Sequence, residues 1–341
     1  MTGLHVVHVV CTEAFAGVER YVRTSALCLA EAGCRVTVVG GAAQPMRESF
    51  RDVGVDWLPG RGVGGALRSL ARVKHADVLN THMTKADFAG VVAGAIRRIP
   101  VVSTRHFASQ RGSSALSRMV ARGIHRRVAA QLAISAFVAS NIEGESTVVP
   151  TGVAGVEESM DQREPVVLVL QRLEEEKQTA LALRAWAQVP DHAGWRLEVA
   201  GEGSQRDALR GLASALGISD SIRFLGYQHD VDALLRRASL LLAPTPREGL
   251  GLAVIEAMAH GVPVVACGAG GHLETLGGVG GAALFAPGDA VAAATQLSRL
   301  MHDSAERERY GASLRRRQRT SFSLDAQTEA TLRVLQSVVE G

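Results

Sequence analysis

Short apolar runs alternate along this chain with longer segments in which apolar positions recur every three or four residues. The short runs predict buried strands and the periodic segments amphipathic helices. In the first half, strands are expected at 4–10, 35–40, 77–80, 100–103, 131–134 and 146–149, and helices near 18–32, 64–73, 84–96, 115–126 and 136–144. The alternation breaks at Pro150-Thr-Gly-Val and the polar, acidic stretch Glu157–Glu164. It resumes with strands at 165–170, 196–200, 222–225 and 240–243 and helices at 176–188, 204–216 and 230–237. Such alternation predicts two doubly wound α/β domains, 1–153 and 165–321, joined by a linker at 154–164. Phe322–Val339 reads as one closing amphipathic helix.

A length of 341 residues is long for one core and comfortable for two. Nearly half the residues are apolar but only 4% aromatic, which suits Ala/Val/Leu/Gly-rich layers. No apolar stretch approaches a membrane span. His5–Val10 lacks a basic leader and reads as a buried strand, and Cys11, Cys28, Cys34 and Cys267 have neither metal nor disulfide spacing. A reducing, cytoplasmic setting is expected.

Charge changes the picture once the chain is divided. Residues 1–150 carry a net +8 and the remainder a net −5, with clusters at Arg97-Arg98, Arg105-His106, Arg111 and Arg118 through Arg127. Such a balance favours anionic partners: the inner face of an anionic membrane, a lipid phosphate or an acidic saccharide. A plain solvated helix face is the alternative in a chain with only three lysines. Nucleic acid is not expected, because no aromatic residues accompany the arginines for base stacking.

Candidate chemistry concentrates in residues 247–266. Glu248 and Glu256 lie eight positions apart around Gly249, Leu250, Gly251 and Leu252, with an apolar helical run to Met258 and a strand-like Val262–Ala266. Glycines let backbone approach a ligand, and the first N–H groups of a helix attract anions. Eight helical residues rise about 12 Å, so carboxylates at both ends would reach hydroxyls on either side of a diphosphate. Taken alone, a dipole-favoured Glu248 and a solvated Glu256 explain the same residues.

The whole string, Arg-Glu-Gly-Leu-Gly-Leu-Ala-Val-Ile-Glu-Ala-Met-Ala-His-Gly-Val-Pro-Val-Val-Ala, resembles the Glu-x7-Glu signature of the family 4 retaining glycosyltransferases, apart from His260 before the Gly. The resemblance implies the GT-B fold: two Rossmann-like domains facing a central cleft, with the last helix crossing back to the first domain. It implies donor binding by the second domain and acceptor binding by the first. Glu248 would bind hydroxyls of the transferred sugar, the Gly249–Leu252 amides the phosphate, and Glu256 the ribose.

Further segments match the same family. Gln171-Arg172-Leu173-Glu-Glu-Glu-Lys177 resembles its Gly-Arg-Leu-x3-Lys-Gly motif, in which both cations neutralise the leaving diphosphate; Gln171 and Gln178 stand where the family has Gly. Ala16-Gly17-Val18-Glu19-Arg20 matches Gly-Gly-x-Glu-Arg with one glycine kept. His106, in Ser103-Thr-Arg-His-Phe107, falls where the family places a His against the transferred sugar, and Arg105 and Arg111 would add acceptor-side charge. Gly201-Glu202-Gly203 matches the family's Gly-x-Gly loop, and Tyr227 and Gln228 the segment that holds the nucleobase. Gly270-Gly271 with Glu274 reads as supporting architecture.

Asp230-Val231-Asp232 has the Asp-x-Asp form that binds metal in glycosyltransferases of the other major fold. Before Ala233–Arg237 it reads instead as a helix cap and first-turn charge, and neither metal nor cofactor is expected. The combined reading is a metal-independent transferase moving a sugar with retention from a nucleotide-diphosphate sugar to a glycan, glycolipid or small-molecule hydroxyl. A nucleotide-sugar epimerase, a phosphorylase, or a noncatalytic nucleotide-sugar-binding subunit is the alternative.

Overall fold

The structure is a computed structural model that describes residues 3–112, 115–157, 163–192 and 194–341. The chain forms two compact units, Met1–Thr151 with Leu324–Gly341, and Gly152–Ser323. Residues 158–162 of the expected linker lie outside the described residues, and Glu164 already begins a strand.

In the first unit, β1 (His5–Val10), β2 (Arg35–Val39), β3 (Val55–Leu58), β4 (Val78–His82), β5 (Val101–Arg105), β6 (Ala130–Ala133) and β7 (Thr147–Val148) form one sheet in the order β3-β2-β1-β4-β5-β6-β7. Every neighbouring pair is parallel. Side chains alternate between faces, so the valine-rich strands feed two cores. Val6, Val36, Val78, Val102 and Leu132 pack with the helix Gly17–Glu31 and with Leu335 of the last helix, Leu324–Glu340. Val7, Val9, Leu79 and Val101 pack on the opposite face, with residues of the helices Gly62–Leu70 and Thr84–Arg97. The closing helix therefore belongs to the first unit, as expected, although Phe322 and Ser323 belong to the second.

Toward the carboxyl ends of these strands both faces turn polar while staying buried. On the face of the helix Gly17–Glu31, His8 lies beside Asn80 and His82 beside Thr104 in the parallel register. His8 Nδ1 is 3.0 Å from His82 Nε2, and His82 Nδ1 is 3.0 Å from His106 Nε2. Tyr21 covers the row, its ring edge-on to His106 at 4.7 Å between centroids. On the other face the fully buried Asp87 accepts hydrogen bonds from Thr81 Oγ1, Ser103 Oγ (2.8 Å) and Arg111 Nε (2.6 Å).

The second unit carries β8 (Glu164–Leu170), β9 (Arg196–Ala200), β10 (Ile222–Gly226), β11 (Ala238–Ala243), β12 (Val264–Cys267) and β13 (Ala283–Phe285), all parallel, in the order β10-β9-β8-β11-β12-β13. The pattern of apolar runs did not mark β3, β13, the short helices Ala43–Ser49 and Gly271–Leu276, or the longer helices Ala290–His302 and Ser304–Ser321. The short elements are too brief to show a period, β3 keeps only Val55 buried, and Ser304–Ser321 is largely polar, burying Tyr310 and Leu314 as its only large apolar side chains.

Burial holds His8 down to about 4 and His82 well below the usual imidazole range. An unfolded chain takes up these protons near pH 6.5, whereas the folded one resists them to about 4, so stability falls as the pH drops through that window. A His8→Gln variant should therefore show a shallower loss of stability between pH 6.5 and 4.5, by up to about 1.4 kcal/mol per pH unit. Urea unfolding at several pH values measures it, and parallel pH profiles for the variant and the parent protein would exclude the effect.

Candidate functional site

Parallel strands deliver their carboxyl ends to one edge, and ligands bind there where strand order reverses, because neighbouring loops diverge and leave a crevice. The reversal falls between β8 and β11 in the second unit and between β1 and β4 in the first. The residues singled out in the sequence sit at those edges.

In the second unit the loop after β8 and the loop after β11 are tied together by Lys177 and Glu248, whose Nζ and Oε2 are 2.6 Å apart. Both side chains are largely enclosed, 18% and 24% exposed, so water screens the pair less than it would on the surface. Burial of His272 lowers its pKa, with Glu248 raising it and Lys177 lowering it, so the imidazole shares the field of the pair. His272 Nδ1 lies 3.1 Å from the Cys267 carbonyl oxygen, a contact that orients the ring. Gly251, in a left-handed conformation at φ 93°, starts the helix Leu252–Ala259. Glu256 is half-buried in that helix, whereas Glu248 precedes it. The eight-residue helical span between the carboxylates expected from the sequence is thus half loop and half helix. Leu250 is buried in the loop before the helix, and Leu252, more exposed, is its first residue.

Arg172 is exposed and pairs with Glu176 at 2.9 Å. The structure does not bring it to the Lys177–Glu248 pair. Gln171, which replaces a family glycine, acts as a clasp: its Nε2 donates to the Lys177 carbonyl and to Thr179 Oγ1, each at 2.9 Å, and its Oε1 accepts from Thr245 Oγ1 at 3.0 Å. Gln178, replacing the other glycine, adopts φ 55°, a backbone region that strains a side-chain-bearing residue. Gly201, after β9, has φ 143°, and a Cβ there would overlap the Gln171 carbonyl oxygen. That close approach accounts for a glycine in the Gly-x-Gly loop. Tyr227, after β10, is 53% exposed with its ring edge-on to His229, and Gln228 Nε2 bonds the Leu225 carbonyl at 2.8 Å. The Gly271 amide donates to the Glu248 carbonyl at 2.8 Å, so Gly270-Gly271 braces the signature loop.

In the first unit Gly17 opens its helix with nothing near the place a Cβ would take, leaving free approach to the helix start. The buried Glu19 fixes the turn before it, accepting from the Ala16 amide at 2.9 Å and Thr12 Oγ1 at 2.6 Å. His106, just after β5, is partly exposed at the end of the histidine row, and burial of its ring lowers its pKa to about 3. It is a neutral imidazole there.

Arg105 and Arg111 do not supply acceptor-side charge as expected. Both are buried: Arg105 Nη1 pairs with Glu143 at 2.9 Å, and Arg111 pairs with Asp87 and Glu143. Removing a guanidinium from water requires such partners, and these arginines hold the underside of β5. Arg98, Arg122, Arg126 and Arg127 do remain exposed; the Arg118 side chain lies outside the described residues. Asp230 caps the helix Val231–Arg237 through the Ala233 amide, and Asp232 pairs with Arg236 and His260. Among the described residues no cluster of His, Cys, Asp or Glu suits a metal.

Sequence reasoning missed His8, His82, Tyr21, Asp87, Glu143 and His272. The only signal for His8 and His82 is a histidine inside an apolar strand, which reads equally as a core residue.

Residues 156–317 match the family described as Glycosyl transferases group 1, and residues 15–154 match Glycosyltransferase Family 4. An exopolysaccharide phosphotransferase of Streptomyces coelicolor is 37% identical over 148 residues, 42% of this chain and 16% of that protein. The lipopolysaccharide core biosynthesis glycosyltransferase LpsE of Rhizobium meliloti is 30% identical over 200 residues, 59% of this chain and 57% of that protein. The chain thus spans less than two thirds of either relative. The crystal structure of Anabaena HepE in complex with UDP superposes with a TM-score of 0.83 at 20% identity, covering 98% of this chain and all of that one, which shows the fold. With GT-B architecture and a family match on each of its two units, the chain belongs to the group 1 and family 4 glycosyltransferases.

Proposed function

We propose that this protein transfers a sugar, with retention and without a metal, from a nucleotide-diphosphate sugar to a hydroxyl acceptor. The observation that carries the reading is the enclosed Lys177–Glu248 pair at the strand-order reversal of the second unit, immediately before the Gly251-started helix. A cation, a hydroxyl-binding carboxylate and the amides at a helix start within one loop cluster are what a sugar diphosphate requires. HepE was crystallised with UDP and with UDP-glucose, which agrees with this assignment.

In this mechanism the bond between the sugar's anomeric carbon and the diphosphate oxygen breaks, its electron pair leaving with the phosphate. Lys177, Arg172 and the Gly249–Leu252 amides stabilise that growing charge. Arg172 exchanges Glu176 for phosphate oxygens. The acceptor oxygen bonds the anomeric carbon from the face the phosphate leaves, and its proton passes to the departing phosphate. Glu248 holds sugar hydroxyls and Glu256 the ribose, while Tyr227, Gln228 and Gly201 border the base. In the first unit Gly17 and His106 address phosphate and saccharide hydroxyls. The cations already present support a metal-independent reaction, and Asp230 and Asp232 serve as a helix cap and as the partner of Arg236 and His260. Exposed Phe88 and Ile96, which line one surface groove with Arg127, suit contact with an anionic membrane face.

A thermal-shift panel of UDP-, GDP- and ADP-sugars without divalent cation tests the donor reading. A nucleotide sugar at a hundred times its Kd should stabilise the fold by about 2.7 kcal/mol, and no response to any of them would refute it. Glu256→Ala should weaken nucleotide-sugar binding about tenfold or more by calorimetry, the scale of a lost charge-assisted bond; unchanged affinity removes Glu256 from the ribose. Lys177→Ala and Arg172→Ala should each lower kcat by about a hundredfold, as losing one oxyanion donor does. Full turnover with only weaker binding would take that residue out of leaving-group stabilisation.

A further inference from the structure

The histidine row of the first unit has a property that a single histidine would not have. His8, on β1, and His82, ending β4, are fully buried, and with His106 they form an unbroken chain of two 3.0 Å nitrogen-to-nitrogen contacts. A contact of that length between imidazoles holds one proton, which one ring donates and the other accepts. All three rings are neutral, held low by burial. Each then carries one proton, so only two arrangements of the chain exist. Either every ring is protonated on Nδ1 and donates toward His106, or every ring is protonated on Nε2 and donates toward His8.

The inner end decides between them. His8 Nε2 is buried with no hydrogen-bond partner among the described residues. In the second arrangement that atom would be a buried N–H with nowhere to donate, whereas in the first it is a bare lone pair. Orphaned buried N–H groups are the rarer and costlier defect. The chain therefore runs outward, and His106 Nε2 accepts from His82. Its one proton sits on Nδ1, which has no protein partner among the described residues.

Resting on the glycosyltransferase reading above, we propose that His8 and His82 are positioning residues that lock His106 as an uncharged Nδ1–H donor for a saccharide hydroxyl oxygen. A locked donor discriminates: it binds an oxygen lone pair and gives no charge attraction to a phosphate. Tyr21, edge-on to His106 and 5.8 Å from the His82 ring, keeps water from the row.

The experiment is nitrogen NMR of the whole protein labelled in its histidine rings, where protonated and bare ring nitrogens give separate signals. No substrate is needed, so this readout fails or succeeds independently of the donor screen. In the parent protein His106 should show Nδ1 protonated and Nε2 bare from pH 6 to 8. His82→Asn, whose amide can still donate to His106 Nε2, should keep that pattern; His82→Leu should lose it and lower kcat/KM about tenfold, the scale of one neutral hydrogen bond. Finding His106 protonated on Nε2 in the parent protein overturns the proposal, as does an unchanged tautomer in His82→Leu. Adding UDP-glucose, GDP-mannose or ADP-glucose should move the His106 Nδ1 signal where the bare nucleotide does not, if the hydroxyl is the donor's. A shift with methyl glucoside alone assigns it to an acceptor saccharide. A nucleotide sugar that binds yet moves nothing, with no response to the glucoside either, overturns the ligand half.

Discussion

The constraint on which everything else depends is that each sheet is wholly parallel and reverses its order once. A parallel sheet has two buried faces, so its strands must be apolar along most of their length, and their polar residues collect at the ends. The reversal then decides which ends matter. At β8 and β11 the adjoining loops separate, and Lys177 and Glu248 meet across the gap. At β1 and β4 the same divergence opens the start of the helix Gly17–Glu31 and leaves His82 at the rim.

The two faces of the first sheet resolve the problem of buried polarity differently. One uses ions: Asp87 and Glu143 neutralise Arg105 and Arg111, and Ser103, Thr81 and Gln131 satisfy what remains. Removing one partner from such a network strands a charge, so it acts as a brace for β4 and β5. The other face uses neutral rings, which can be linked in series without burying charge. The brace and the row meet at β5, where Arg105 points into the first and His106, the next residue, ends the second. Adjacent residues on a strand end take opposite faces, so one enters the ionic network and the other closes the row of rings.

Much of this was legible in the sequence because it is written in local patterns. Most strands of both units, the helix after the glycine pair at 249 and 251, and the Arg-Leu-x3-Lys loop each announce themselves within a few residues, whereas the short β3 and β13 do not. Two departures from family pattern also gain a cause. Gln171 is the clasp on the Lys177 backbone, and Gln178 occupies the left-handed position that explains a glycine elsewhere in the family. Arg105 and Arg111 were misread because an arginine's letter does not say whether a carboxylate lies beneath it. Glu143 is far along the chain from both.

Sequence alone therefore determined the layer architecture, the two-unit division and the family. Those follow from periodicity, turn residues and short motifs, whose physics is local. Only the tertiary structure decided which charged groups meet. Lys177 and Glu248 are joined by the pairing of β8 with β11, and His8, His82 and His106 by the register of β1, β4 and β5. Strand order and register are set by the packing of whole faces, so no motif in one loop records which residue waits in the next.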